Sequence, residues 1–360
     1  MAFLEIKNVR IAGMATAFPK RTVNNSKILE ERNINEESAV NFVRQVGIIE
    51  RRESLNLTES DLACIAIERM LDDLKWEKDS VEAILCVSLT PDYILPVNAC
   101  IIQNRMGFSK ECYAQDISMG CSGWVYGMSV VASLLKDGDV KRAILLSGDS
   151  KMIWGSGNNE LLFGHCCNVT ALEYQQGADG FQFNYGTDGS GYDAIIMPKS
   201  GVRNPNYTDD AIKEYTDPFL QHSMQAEMKS LDVFAFSISR VPKSIQQMSE
   251  HFGFDYHDFD YFILHQANKS INQHILKKLK VSPEKSVSSI EYFGNTLSAS
   301  IPVTITTQLK DKLVNGKKRI ICCGFGVGLS WGIITFSTEN IVISDIIEVE
   351  ENSFDDKKWV

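Results

Sequence analysis

Apolar residues along this chain recur with two periods, and the switching between them predicts the elements. A short continuous apolar run at residues 81–88 reads as a strand buried on both faces, and residues 112–117, 142–147, 261–264 and 319–323 read as further strands. Residues 6–14 read as a first strand, followed by a turn and helix start at Pro19 and Asn24-Asn25-Ser26. Thr58 is a predicted N-cap with Asp61 at N3. Leu62, Ile65, Ile67, Met70, Leu71 and Leu74 give the helix behind it an apolar face. Helices are also predicted through residues 40–43, over 97–106 behind Pro96, from Val233 towards His251, and over 270–279 and 301–313. Residues 169–173, 287–291 and 329–336 complete the strands.

Strand and helix alternate with short connections, which predicts an α/β fold with a largely parallel sheet. The order is interrupted between residues 151 and 230, where Gly155-Ser156-Gly157-Asn158-Asn159, Gly186-Thr187-Asp188-Gly189-Ser190-Gly191 and Arg203-Asn204-Pro205-Asn206 are rich in turn residues. From Leu231 it repeats the layout of the first half. The expected division is therefore an N-terminal half (1–175), a loop or cap region (176–230), a second half (231–338) and an acidic tail (339–360).

One junction stands out. The strand at 112–117 runs into Ser118-Met119-Gly120-Cys121-Ser122-Gly123, and Trp124, Val125, Met128, Val131, Leu134 and Leu135 then follow at helical spacing. Cys121 thus sits at the start of a buried helix, where the helix dipole and unpaired amides favour a thiolate, and flanking glycines leave room for a substrate. A plain core cysteine fits this stretch as well, because free cysteine is among the most buried residue types.

Composition narrows the alternatives. The 360 residues are 44% hydrophobic and 23% charged, with a net charge of −10, which argues against nucleic acid as a general partner. Nine cysteines, an odd number without a C-x-x-C pair, speak against zinc or a disulfide framework and for a reducing cytoplasm. Residues 1–16 lack the pattern of a secretory signal. No run reaches the ~20 apolar residues that span a bilayer, so no membrane insertion is expected.

Three further strand ends carry polar residues. They are His265-Gln266-Ala267-Asn268, Gly294-Asn295-Thr296-Leu297-Ser298-Ala299-Ser300-Ile301-Pro302, and Gly324-Phe325-Gly326-Val327-Gly328-Leu329-Ser330-Trp331-Gly332. Strand C-terminal ends are where α/β sheets place ligands. With the Cys121 turn, with Gly47-Ile48-Ile49-Glu50-Arg51, and with Asp188-Gly189-Ser190 and the downstream Pro198, these motifs resemble the β-ketoacyl-(acyl-carrier-protein) synthase III family of the thiolase superfamily over residues 5–337.

The resemblance implies a thiolase-like fold, two pseudo-duplicated βαβαβ halves in five layers (α-β-α-β-α), in a homodimer. It implies that Cys121 is acylated by a thioester and that the backbone N–H groups of Cys121 and Val327 form the oxyanion hole. His265 and Asn295 would stabilise the enolate of malonyl-acyl-carrier protein as CO₂ leaves, since an amide is a neutral donor. It further implies an acyl-CoA or acyl-carrier-protein donor, no cofactor or metal, and docking of the acidic carrier through Gln266, Asn268, Lys269, Lys277 and Lys278, with Lys280, Arg240 and Lys243 nearby. Two other readings remain open: acyl transfer to a hydroxyl or amine, and a non-catalytic subunit that binds acyl chains or carrier protein.

The chain departs from the family where acyl-CoA is clamped. Asn41 and Gln45 stand where CoA-primed members have Trp and Arg, and Ser270 stands in place of an Arg. Phe163-Gly164-His165-Cys166-Cys167-Asn168-Val169 replaces a stretch of small residues. Adjacent cysteines on a strand face opposite sides, so altered packing is expected there rather than a metal site. These departures point to a specialised acyl donor or acceptor.

Overall fold

The computed structural model describes residues 2–31, 36–150, 161–198, 200–203, 226–314 and 316–351. The turn at residues 155–159, residues 204–206 of the Arg203 turn and residues 352–360 of the acidic tail lie outside them.

Alternation within the strands builds the layers. In β5 (Ala83–Val87) and β7 (Arg142–Asp149), Leu85, Val87, Ala143 and Leu145 face one apolar cluster, while Ile84, Cys86, Ile144 and Leu146 face another. In β12 (Tyr261–Leu264) and β13 (Lys318–Gly326), Ile263, Ile320 and Cys322 join the first cluster and Phe262, Leu264, Ile321 and Cys323 a third. The shared cluster lies between the two sheets. It holds α5 (Gly123–Leu135) through Trp124, Val125, Met128 and Val131, and α9 (Ser300–Gln308) through Ile301 and Ile305. Each such side chain removed from water stabilises the fold by about 1.5–3 kcal/mol.

On the outer face of the large sheet lie α3 (Glu59–Leu74) and α4 (Asn98–Met106). The predicted capping box at Thr58 and Asp61 is present. On the outer face of the small sheet lie α6 (Ser230–Phe252) and α7 (Lys269–Leu279). The result is the expected five-layer, thiolase-like α/β arrangement.

The large sheet runs β15 (Val342–Ile343), β2 (Val9–Pro19), β8 (Cys166–Tyr174), β7, β5 and β6 (Tyr113–Ile117), with β16 (Ile347–Val349) also paired to β2. The small sheet runs β1 (Ala2–Ile6), β9 (Phe181–Thr187), β14 (Ser330–Thr338), β13 and β12. Two short pairs stand apart: β3 (Thr22–Asn24) with β4 (Glu50–Arg52), and β10 (Ile195–Ile196) with β11 (Glu227–Met228). Helices α1 (Asn25–Glu31), α2 (Glu36–Val46), α8 (Ile290–Phe293) and α10 (Lys310–Leu313) complete the described elements apart from single 3₁₀ turns.

Several expectations change. Both sheets are mixed rather than largely parallel: β8 runs antiparallel to β2 and β7, and β14 to β13 and β9. The three residues joining β13 to β14 can close only an antiparallel hairpin. The strand expected at 6–14 is broken by Asn8, which takes a left-handed φ of 64° that Asn tolerates. β1 therefore joins the small sheet and β2 the large one. The strand expected at 287–291 is absent; a single parallel bridge between Phe262 and Ser286 stands just ahead of it, and Ile290 begins α8. The helix expected over 301–313 divides at Leu309 into α9 and α10. The small sheet also draws β9 from the expected cap region, and the tail returns to the large sheet as β15 and β16.

Candidate active site

Cys121 lies between β6 and α5, buried at 7% exposure. Glycines make its turn possible by omission. A Cβ on Gly123 would stand 2.4 Å from Val87 Cγ1, so α5 could not lie against β5. The glycine run of the β13–β14 hairpin makes room for the same cysteine. A Cβ on Gly324 would meet the Cys121 carbonyl oxygen at 2.8 Å, and one on Gly326 would meet Cys121 Cβ at 2.8 Å and Sγ at 2.9 Å. The Ser122 and Ser330 hydroxyls, 2.8 Å apart, tie the two segments together. The hairpin is thus more than a tight turn: it lays its backbone against the sulfur.

The amides of Val327 and Cys121 both donate towards Cys121 Sγ. Their pull on the thiol is outweighed by burial, which pushes it up to about 12. The resting group is a thiol. The helix start does not hold a thiolate, because loss of water around the sulfur exceeds what two amides return.

His265 follows β12, and its amide donates to Cys323 O at 2.8 Å. The ring is 1% exposed, stands edge-on to Phe325 with centroids 5.6 Å apart, and its Nδ1 lies 2.6 Å from Ser300 Oγ. Burial holds the imidazole down at about 3, so it is neutral. Asn295 follows α8. Its amide donates to Leu162 O at 2.8 Å, and its carbonyl accepts from Gly164 N at 3.0 Å. Leu297 N donates to Asn295 Oδ1 at 2.9 Å, which fixes the carboxamide with Nδ2 as its free donor.

Cys121, His265, Asn295 and Val327 line one cavity of about 560 Å³, with Leu162, Phe163, Met228, Phe234, Leu297 and Phe325 among its apolar walls. Among the described residues no Asp, Glu, Lys or Arg lines it; Gln45 and Ser270 do. Asn41 turns to its own helix, where its Oδ1 accepts from Arg44 at 3.2 Å.

The other motifs buttress this cavity. Gly47 carries the side chain of Lys269 where a Cβ would be, 2.7 Å from Lys269 Cβ. Asp188 exchanges backbone hydrogen bonds with Leu329 at 2.8 and 3.1 Å, securing the far end of the hairpin loop. In the enlarged 163–169 stretch, Cys166 packs with Phe18, Phe293, Ala299 and Val303, whereas Cys167 belongs to the outer cluster with α3. The two thiols face opposite sides, as expected. His165 Nδ1 accepts from Ser54 N at 2.9 Å, and Asn168 donates to Ala15 O at 3.0 Å and Thr16 Oγ1 at 2.9 Å.

Of the residues expected to dock a carrier, Lys269, Lys277 and Lys278 are exposed on α7, which begins at the cavity rim. Lys278 Nζ also donates at 3.2 Å to Ile238 O, the carbonyl that Pro242 leaves without its helical partner. Asn268 caps α7 through its side-chain oxygen and lines the cavity. Gln266 is not a docking residue. It is 1% exposed, donates to Leu264 O at 2.6 Å and accepts from Ser288 Oγ at 2.6 Å, so both ends of its amide are engaged inside. Arg240 and Lys243 border a different cavity, where Arg240 Nη2 is 3.5 Å from Asp188.

Three supporting residues escaped the sequence reading. Ser300 holds the His265 ring, Leu297 holds Asn295, and Asp149 accepts from Leu89 N at 2.7 Å and from Ser88 Oγ at 3.2 Å beside the Cys121 turn. Burial raises the Asp149 carboxyl to about 7. A polar residue ending an apolar strand was the one available signal for Asp149; Ser300 and Leu297 gave none apart from the Asn295 motif.

Two similar halves packed on paired central helices, with a buried cysteine from one and a histidine and an asparagine from the other on a shared cavity, define a protein of the thiolase-like class. Models of 3-oxoacyl-[acyl-carrier-protein (ACP)] synthase III match residues 115–189 and, for the C-terminal part of that family, residues 250–338. The chain is 28% identical over 332 residues to the β-ketoacyl-[acyl-carrier-protein] synthase III of Clostridium perfringens, covering 91% of this chain and 98% of that one. It superposes with a TM-score of 0.88 on the crystal structure of a 3-oxoacyl-(acyl-carrier protein) synthase from Burkholderia xenovorans LB400, at 32% identity over 97% of this chain and 99% of that chain. With the synthase III of Pseudomonas aeruginosa PAO1 it shares the fold, at 22% identity and a TM-score of 0.78, over 92% of this chain and 98% of that one. The chain belongs to the 3-oxoacyl-[acyl-carrier-protein] synthase III family, whose members are acyltransferase-class synthases.

Proposed function

We propose that the protein performs decarboxylative Claisen condensation of an acyl thioester with malonyl-acyl-carrier protein through an acyl-Cys121 intermediate, in fatty-acid or specialised acyl-chain synthesis. The observation that carries this reading is the convergence of Cys121, His265 and Asn295 on one apolar cavity, with the asparagine amide fixed as a neutral donor.

The neutral thiol and neutral imidazole set the order of proton movement. Cys121 Sγ attacks the thioester carbonyl as its proton passes to His265 Nε2, and the oxyanion is held by the amides of Cys121 and Val327. Collapse expels the donor thiol, which takes that proton. Malonyl thioester then enters with its carbonyl oxygen against His265 and Asn295. The C–CO₂ bond breaks, the enolate charge falls between those two donors, and the enolate carbon attacks the acyl carbon, expelling the Cys121 thiolate, which takes a proton from water to return to the resting thiol. The first half needs a lone pair on Nε2 and the second needs a hydrogen there. Ser300, whose hydroxyl can donate to Nδ1 or accept from it, serves both tautomers.

The exposed Lys269, Lys277 and Lys278 beside the rim support docking of an acidic carrier. A homodimer is supported by β6, an edge strand with its outer side unpaired among the described residues, and by the exposed Tyr93, Ile94 and Leu95 nearby (63, 86 and 82%). No helix among the described residues is long and apolar enough to cross a membrane.

The test is incubation with malonyl-carrier protein and a panel of acyl-CoA and acyl-carrier donors, followed by mass analysis of Cys121 and of the carrier. Expected are an acylated Cys121 and a β-ketoacyl product. N295A is expected to retain acylation and lose condensation. Transfer to a hydroxyl or amine acceptor at full rate by N295A would replace condensation with simple acyl transfer.

A further inference from the structure

Leu297 combines two properties that its backbone role does not require. Its φ is +49°, in the left-handed region that branched side chains rarely occupy, yet the residue is 2% exposed and its side chain clusters with Cys121, Phe163 and Leu162. The turn is fixed on both sides: Leu297 N donates to Asn295 Oδ1 at 2.9 Å, and Ser298 Oγ donates to Val87 O at 3.2 Å. Any residue supplies that amide, and Gly or Asn would supply it without backbone strain. The isobutyl group is therefore left to be explained by what it touches, the nucleophile and the wall of the cavity.

We propose that Leu297 determines acyl selectivity, forming with Phe163 the wall beside Cys121 Sγ that admits unbranched aliphatic acyl groups and excludes those branched at the carbon next to the carbonyl. The inference rests on the reading of Cys121 as the acylated residue. With the thioester oxygen held by the amides of Cys121 and Val327, the carbon next to the carbonyl lies against the sulfur's neighbours, and the apolar ones are Leu297, Phe163 and Leu162. A linear chain fits between such walls. A second substituent on that carbon needs the volume Leu297 fills. One methyl-sized difference in an apolar pocket discriminates by about 10–200-fold.

The experiment measures acylation of Cys121 by intact mass in wild type, L297A and L297G, with butyryl and octanoyl thioesters against 2-methylbutyryl thioester, each on CoA and on carrier protein. The ratio of branched to linear acylation is expected to rise at least tenfold in both variants. L297G is also expected to melt ~1–2 °C above L297A, because glycine accepts the left-handed φ. A ratio within twofold of wild type in both variants overturns the inference, and so does a rise confined to L297A, which would trace the effect to the backbone. Failure of every donor to acylate wild-type Cys121 overturns the acyl-cysteine reading itself, a separate result.

Discussion

Replacing Gly326 with alanine inserts one methyl group between the hairpin and Cys121, the nucleophile of the proposed reaction. The new Cβ would stand 2.8 Å from Cys121 Cβ and 2.9 Å from Sγ. Carbon contacts settle at roughly 3.5–4.0 Å, so the hairpin must retreat by roughly 0.6–1.2 Å or Cys121 must turn away. Val327 is the next residue, and its amide moves with the hairpin. A donor must lie within about 2.7–3.1 Å of the oxyanion to hold it, and losing one such donor costs about 100- to 1000-fold in rate, or about 2.7–4 kcal/mol. Overpacking at a buried site costs stability by about 1–3 kcal/mol, so the variant should fold. Single-turnover acylation of Cys121, followed by intact mass, checks the rate, and denaturant melting checks the fold. Gly189→Ala is the control, since a Cβ there meets nothing within 4 Å. A folded G326A variant that is acylated within threefold of wild type would refute both the tight contact and the placement of the oxyanion hole.

Two further perturbations address groups the sequence reading did not reach. Ser300→Ala leaves His265 Nδ1 without its 2.6 Å partner inside an apolar shell; at about 1–3 kcal/mol, condensation should slow by about 5- to 150-fold. Steady-state assay of the β-ketoacyl product measures this, and an unchanged kcat would remove Ser300 from the mechanism. Glu59 is fully buried, accepts from Asn98 Nδ2 at 2.7 Å, and is raised by burial to about 8. Between roughly pH 4.5 and 8 the folded chain keeps a proton that the unfolded chain releases, so its contribution to stability falls as pH rises through that window. Glu59→Gln removes this slope: its Tm relative to wild type should climb from pH 5 to pH 8 and then level off, by up to a few kcal/mol in stability. Parallel Tm profiles for the two proteins would contradict a protonated Glu59.

What the sequence made legible depended on how locally each feature is determined. The faces of β5, β7, β12 and β13 follow from alternation alone, and the opposed sides of Cys166 and Cys167 follow from the same rule. The Cys121, His265 and Asn295 turns were legible because glycines and polar residues interrupt apolar runs there. Spacing says which way a side chain points but not what it meets. Gln266 looked like a surface residue until Ser288 closed over it, and Cys121 looked like a thiolate until its burial was known. The crossing of β1, β15 and β16 into the sheet of the opposite half joins residues far apart in the chain, which no local period encodes.

That crossing also sets an order of events during synthesis. β1 is made early, but its partner β9 follows nearly the whole N-terminal half. β2 keeps one edge open until residues 342–349 have been made, when β15 and β16 pair along it. Neither half can close its sheet while only its own stretch of chain exists, so domain-by-domain folding on the ribosome is denied to this protein. The Cys121 turn follows β6 at the far edge of the large sheet and meets the β13–β14 hairpin only once residues 324–330 exist, shortly before the last strands arrive. Until then the nascent chain has an unpaired strand edge for chaperones to cover.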